Sequence, residues 1–233
     1  MIESANICPP FRKTFLVDYL GVVPYEVALK EQERLRQLRA EERIPDAVLL
    51  LQHPHVYTVG RFRGEEDILV PPEEIPIFHT NRGGSITYHG PGQLVGYPVL
   101  DLKANGLGVR EYIWKLEEVI IKLLGGFAIE AQRSTKYPGG VWAGERKICS
   151  IGINVSRHIT THGFALNVNN DLKYFTNIRP CGMPGAMTSM SELLGHMLPL
   201  DMVVSEWINW FSKIFALKPD TSRALPVEET VIA

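Results

Sequence analysis

The sequence is poor in the features that assign a chain quickly. It has three cysteines, Cys8, Cys149 and Cys181, an odd number without C-x-x-C spacing. Neither a disulfide framework nor a structural zinc site is implied, and a reducing compartment is the simplest setting. No apolar run approaches the roughly 18 residues that span a bilayer. The opening MIESANICPPFRKTF lacks the basic and apolar regions of an export signal. A cytoplasmic protein without a membrane partner is therefore expected. Neither charge dominates: 24 Lys+Arg against 26 Asp+Glu give a formal net charge of −2, which argues against a nucleic-acid polycation. The sequence has no dinucleotide fingerprint G-x-G-x-x-G, no P-loop and no G-x-S-x-G elbow. It thus lacks the local signatures of dinucleotide or nucleotide phosphate binding and of an α/β-hydrolase serine.

What is there reads as a globular α/β chain. Of 233 residues, 45% are hydrophobic and 21% charged, enough apolar material for a real core. From Pro24 to Arg43, Ala28, Leu29, Leu35 and Leu38 recur at helical spacing behind Tyr25. The runs AVLLL after Pro45 and VYTV from Val56 are short and apolar enough to be buried strands, separated by the turn-prone Gln52-His53-Pro54. Leu94 to Leu102 also reads as a strand, which Pro98 restricts to an edge, a bulge or an interruption. Helices are signalled from Tyr112 to Leu124, closed by Gly125-Gly126, and from about Asp201 to Phe215. Between them KICSIGINV from Lys147 and HGFALNV from His162 look like neighbouring strands joined near Arg157 and His158. Ser189 and Glu192 have capping-box spacing ahead of a short helix. Without an internal repeat or a linker, one α/β domain is the economical reading. The part after about Lys173 has the length of a small C-terminal subdomain, and residues 218–233 look like a loose tail.

Three features could carry chemistry. Arg82 to Gly96, RGGSITYHGPGQLVG, holds five glycines in 15 residues. Such density allows close backbone approach to a ligand, and tight turns between strands are the plainer explanation. Cys181, in the turn-rich IRPCGMPG, is placed to be accessible, whereas Cys149 has the look of a small core residue. Lys147 shares strand parity with Cys149, Ile151, Ile153 and Val155, so without a bulge its side chain leaves on the apolar face. Burial disfavours an ammonium ion and brings a lysine toward accepting a proton near neutrality; a lysine snorkelling to solvent fits the position as well. Beside Cys181 such a lysine could stabilise the thiolate or take its proton. His89 and His162 are alternative partners for the thiol, and His53-x-His55 has ligand-like spacing in what is more simply a turn. No metal site is expected.

Taken together, several segments resemble the octanoyltransferases that begin lipoyl cofactor synthesis, the lipoyl(octanoyl) transferase or LipB family. They are IPDAVLLLQHPHVYTVGR from Ile44, RGGSITYHGPGQLVGYPVLDL from Arg82, YPGGVWAGERKICSIGI from Tyr137, THGFALNVNNDL from Thr161 and IRPCGM from Ile178. The resemblance implies a mixed sheet flanked by helices, the biotin/lipoate protein ligase-like (class II synthetase-like) fold, in one catalytic domain over residues 15–217. It implies transfer of an octanoyl group from octanoyl-acyl carrier protein to a lysine of the lipoyl domains of 2-oxoacid dehydrogenases or of glycine cleavage H protein. No cofactor of its own is implied, since the acyl group arrives on the carrier's phosphopantetheine arm, and a monomer is expected. The family's acyl-thioester cysteine falls on Cys181 and the lysine that lowers its pKa on Lys147. Its substrate-binding segments fall on Arg82, Gly83, Gly84, Ser85, Ile86, Thr87, Tyr88 and His89, on Ser150, Ile151 and Gly152, and on Gly163, Phe164 and Ala165, with His162 a possible addition. Arg61, Arg63, Arg82 and Lys136 are candidates for a basic patch facing an acidic carrier. The competing class is an ATP-dependent lipoate or biotin ligase of the same fold. A recognisable G-R-G-R-x-G loop is absent and Cys181 is present, which argues against that class.

Overall fold

The run Ala47–Leu51 is apolar at every position because its strand is covered on both sides. Val48 and Leu50 enter one hydrophobic core, and Ala47, Leu49 and Leu51 enter another, so the period-2 alternation of a half-exposed strand is absent. The computed structural model describes residues 13–62, 65–70, 74–179 and 187–228. Its strands are β1 (Lys13–Val22), β2 (Asp46–Gln52), β3 (Val56–Val59), β4 (Ile77–His79), β5 (Ile86–His89), β6 (Gln93–Val99), β7 (Gln132–Arg133), β8 (Gly140–Ala143), β9 (Arg146–Ser156), β10 (Ile159–Asn167) and β11 (Leu217–Pro219). The helices are α1 (Tyr25–Ala40), α2 (Val109–Gly126), α3 (Met190–Leu194) and α4 (Leu200–Phe215).

Eight strands form one mixed sheet in the order β11-β1-β2-β6-β10-β9-β8-β7, and β4-β3-β5 form a second. β1 runs parallel to β2 and β11, and the other neighbours in the large sheet are antiparallel. The expected α/β class with a mixed sheet and flanking helices is what the chain adopts. α1 packs Ala28 and Leu35 against one face of the large sheet. α2 and α4 cover the other with Leu116, Ile120, Leu123, Val203 and Trp207. The C-terminal helices therefore join the main core and do not stand apart as a subdomain. Trp207 stacks between Phe164 and Phe211 at 5.0 and 4.7 Å, and burying each such side chain contributes roughly 1.5–3 kcal/mol. No helix among the described residues is long and apolar enough to cross a membrane.

Other features differ from the sequence reading. β1 was not anticipated, and neither was the small sheet, in which β3 pairs with β4 and β5 and not with β2. The segment from 218, expected as a loose tail, is docked as far as Val227. β11 pairs with β1, Leu225 is buried, and the Leu225 N–H donates to Asp18 Oδ2 at 2.7 Å. The paired strands β9 and β10 are joined as expected, by Arg157 and His158, both at positive φ. Ser189 caps α3 by accepting from the Glu192 N–H.

Pro98 was expected at an edge or an irregularity, and β6 lies in the centre of the sheet between β2 and β10. The ladder to β10 stops at the pair Gly96–Phe164. Beyond it the Thr160 hydroxyl donates to Pro98 O at 2.7 Å and accepts from the Leu100 N–H at 2.9 Å. Pro98 N faces the same side as its carbonyl, so the missing donor falls in that gap. Opposite the gap stands Gly163, where a Cβ would meet Gly96 O at 2.2 Å and Pro98 Cδ at 2.7 Å. Gly163→Ala is therefore expected to destabilise the protein by about 1–3 kcal/mol, the usual cost of overpacking. That lowers the thermal midpoint by roughly 2–12 °C for a chain of this length. A melting curve unchanged from the parent excludes the close approach.

Candidate active site

Gly140 on β8 leaves the space that the side chain of Lys147 fills. A Cβ at Gly140 would meet Lys147 Cε at 2.4 Å and Nζ at 3.0 Å. Lys147 reaches this place because the register between β8 and β9 shifts by one residue: Cys149 lies opposite Val141, and Lys147 lies opposite the next residue, Trp142. One extra residue in β9 reverses parity, as a β-bulge does. Lys147 therefore leaves the face of Cys149, contrary to the expectation of a shared apolar face. It lines a cavity of about 420 Å³ with Ser150 and Gly152, and only 3% of the residue is exposed. Cys149 points into the main core, where burial pushes its thiol pKa far up. A thiol held in that form is inert.

The cavity lies where the glycine-rich loop ahead of β5 crosses β9 and β10. Of the predicted substrate-binding residues, Arg82, Gly83, Gly84, Ser85, Ile86, Thr87, His89, Ser150, Ile151, Gly152, Gly163, Phe164 and Ala165 line it, as does His162. Tyr88 does not. It is on the opposite side of β5, packed in the small sheet's core with Tyr57 and Phe175, and its hydroxyl meets His55 Nδ1 at 2.6 Å. Arg82 is a buried clamp. Its Nη1 donates to Gly83 O and Ser85 O, and its Nη2 donates to Thr58 O and Thr58 Oγ1. It therefore shapes the loop and adds nothing to a surface basic patch. Arg61 and Lys136 are exposed, and Arg63 lies outside the described residues.

Cys181 and Cys8 also lie outside the described residues. The chain on either side of the Cys181 segment is described. The Arg179 N–H donates to Asp67 O at 2.8 Å. Met187 bridges to Lys147, and the Thr188 N–H donates to Lys147 O at 2.9 Å. The chain that follows Cys181 in sequence thus passes beside Lys147 at Met187 and Thr188.

The sequence reading missed Tyr25, Tyr97, Ile113 and Ile153 in the cavity wall. Of these only Tyr25 carried a signal, as the residue heading a helix. His53 and His55 do not converge on a metal. His53 meets Val23 O at 2.6 Å and the Tyr97 hydroxyl at 2.7 Å, while His55 bonds Tyr88. Burial lowers the His53 pKa to about 4. His162 also falls to about 4, through burial first and then repulsion by Arg82 and Arg61. His89 is held well below the usual histidine range by burial and by neighbouring His53. All three imidazoles are therefore neutral at physiological pH, which makes His89 and His162 weak bases for a thiol. His162 also sits at φ 56, with its N–H held by Gln32 Oε1 and its Nε2 by Asn81 Oδ1.

The fold belongs to a class that includes lipoate- and biotin-protein ligases. A lipoate-protein ligase A bound with ATP superposes with a TM-score of 0.70 at 14% identity, covering 94% of this chain and 90% of that one. A biotin protein ligase from Aquifex aeolicus in complex with biotin and ATP gives 0.55 at 14% identity, covering 86% and 70%. The sequence is more decisive: the model of the lipoyl protein ligase A/B catalytic domain matches residues 24–212, and the chain belongs to that family. Among its relatives are proteins named octanoyltransferase from Caldicellulosiruptor saccharolyticus, 47% identical over 87% of this chain and 89% of that one, and from Solibacter usitatus, 48% identical over 84% and 90%. A mitochondrial octanoyltransferase of Arabidopsis thaliana is 40% identical over 83% and 85%.

The histidines predict a pH dependence of stability. Their folded pKa values lie below the unfolded value of about 6.5, so the unfolded chain binds more protons between that pH and the folded pKa of about 4 of His53 and His162. Stability is complete above pH 6.5 and is lost as the pH falls, by up to about 1.4 kcal/mol per unit for each histidine. Urea titrations between pH 6.5 and 4.5 are expected to show this slope, and His53→Gln to reduce it by one histidine's share. A midpoint independent of pH in that window rules it out.

Proposed function

We propose that the protein transfers an octanoyl group from octanoyl-acyl carrier protein to a lysine of a lipoyl domain or glycine cleavage H protein, through a thioester on Cys181. The observation that carries this reading is the buried Lys147, set in the wall of an apolar cavity beside the chain that follows Cys181. Relatives named octanoyltransferase, 40–48% identical over most of the chain, support it.

In this reading Lys147 takes the Cys181 proton, and the thiolate attacks the acyl carbonyl. A new S–C bond forms, the carrier's C–S bond breaks, and the carrier thiol leaves with the proton from Lys147. The acceptor lysine, as a free amine, then attacks the Cys181 thioester. The C–N bond forms, the Cys181 S–C bond breaks, and Lys147 moves the proton from nitrogen back to sulfur. The net change is octanoyl thioester plus amine to amide plus thiol. The acyl group arrives already activated, so the reading calls for no resident cofactor or metal. The octanoyl chain would lie among Ile113, Ile151, Ile153 and Phe164, and the loop Arg82–His89 would close over the reacting end. Arg61, Arg63 and Lys136 would face the acidic carrier, and a monomer in the cytosol is the state we assign.

Incubation with octanoyl-acyl carrier protein and without ATP is expected to add one octanoyl mass to Cys181, read on the peptide by mass spectrometry. Lys147→Ala should slow acylation at least about a hundredfold, the lower end of the range for general acid–base catalysis, and Cys181→Ser should abolish the adduct. Transfer that requires ATP, or that proceeds at full rate in Cys181→Ser, would point to the ligase chemistry of the structural neighbours.

A further inference from the structure

One buried chain of hydrogen bonds runs from the cavity wall to the segment beside Lys147, and its direction is fixed from its Thr188 end. Arg82 can only donate, and its Nη2 donates to Thr58 Oγ1 at 2.8 Å. Thr58 Oγ1 meets His89 Nε2 at 3.4 Å, and, because a hydroxyl oxygen can accept twice, the roles there are set from the Thr188 end: a neutral His89 whose Nδ1 donates leaves Nε2 to accept from the hydroxyl. His89 then carries its proton on Nδ1 and donates to Gln93 Oε1 at 2.8 Å. Gln93 Nε2 donates to Asn167 Oδ1 at 2.9 Å and to Tyr88 O at 3.2 Å. Asn167 Oδ1 accepts a second bond from Asn170 Nδ2 at 3.1 Å. Its Nδ2 donates to Thr188 O at 2.9 Å. A peptide carbonyl can only accept, so each amide and the imidazole between Arg82 and Thr188 has one orientation.

The last link matters most. Thr188 is wholly buried. Its carbonyl is held by Asn167, and its N–H donates to the carbonyl of Lys147. The two bonds clamp one residue between β10 and β9 at the point where Lys147 enters the cavity wall. The other end of the chain, Arg82, lines the same cavity, as does His89. We infer that Asn167 is a positioning residue of the transfer reaction: oriented through His89 and Gln93, it holds the Thr188 segment against Lys147 and so sets the lysine's place in the cavity wall. The inference rests on the octanoyl-transfer reading and assigns Asn167 no contact with substrate. His89 is thereby an orienting link and not a proton carrier.

Two measurements on the full-length chain test this. With octanoyl-acyl carrier protein and a lipoyl domain, Asn167→Ala is expected to lower kcat at least tenfold while KM changes less than threefold. Amide exchange at Thr188, read without substrate by mass spectrometry, is expected to quicken at least tenfold. Gln93→Met removes the donor that orients Asn167 without touching Thr188, and is expected to give the same pair of changes; it also serves should Asn167→Ala fail to fold. A folded variant with kcat within twofold of the parent, a loss carried by KM, or unchanged Thr188 exchange each overturns the inference. If the parent chain transfers no octanoyl group, the reading of function fails separately, and Thr188 exchange in the variants still decides the positioning.

Discussion

A one-residue register shift between β8 and β9 is the constraint on which the candidate site depends. Side chains alternate along a strand, so an unbroken β9 would send Lys147 into the same core as Cys149. There an ammonium ion would be desolvated among Val141, Ile148 and Leu166 with no cavity in front of it. The shift turns it to the other face, where Gly140 leaves it room. The same strand thus holds a buried thiol in the core on one side and a lysine in the cavity wall on the other.

The rest of the site divides its work between backbone and buried polar side chains. Backbone of the glycine-rich loop and of β9 meets at the cavity, with the Gly83 N–H donating to Ile153 O at 2.8 Å. Arg82 draws the loop's carbonyls together from behind. The histidines around the cavity are kept neutral by burial and each is tied to specific partners. That arrangement gives geometry without placing an imidazole that titrates near neutrality around the cavity.

Periodicity exposed the elements whose burial follows their own sequence. The stripes of α2 and α4 and the run Ala47–Leu51 were readable because each element meets its core along its whole length. β1 was not, because in KTFLVDYLGV the apolar residues fall at Phe15, Leu16, Val17, Tyr19, Leu20 and Val22, matching neither period cleanly. Pro98 was legible as an interruption of a strand, but not as one in a central strand, because the gap that accommodates it is made by residues some 60 positions away, Thr160 and Gly163. The glycine-rich stretch was visible as a candidate binding loop, yet the strand Ile86–His89 within it was not, and that strand packs Tyr88 into the core of the small sheet. Lys147 was picked out by an argument that held only without a bulge, and no residue near Ile148 marks one. The positioning role of Asn167 gave no signal, since Gln93 and Thr188, the partners that matter for it, come from β6 and from the chain beyond Cys181.

The gap beside Pro98 also bears on the mechanics of the large sheet. β6 and β10 share only the four paired positions from Gln93–Asn167 to Gly96–Phe164, followed by the Thr160 clasp and the bridge Asp101–Ile159. Four strands lie on each side of that seam. Lys147 and Gly152 belong to one half, and Tyr97, which closes the opposite wall of the cavity, belongs to the other. A twist about this seam would therefore change the width of the cavity, because the two halves of the sheet carry opposite parts of its wall.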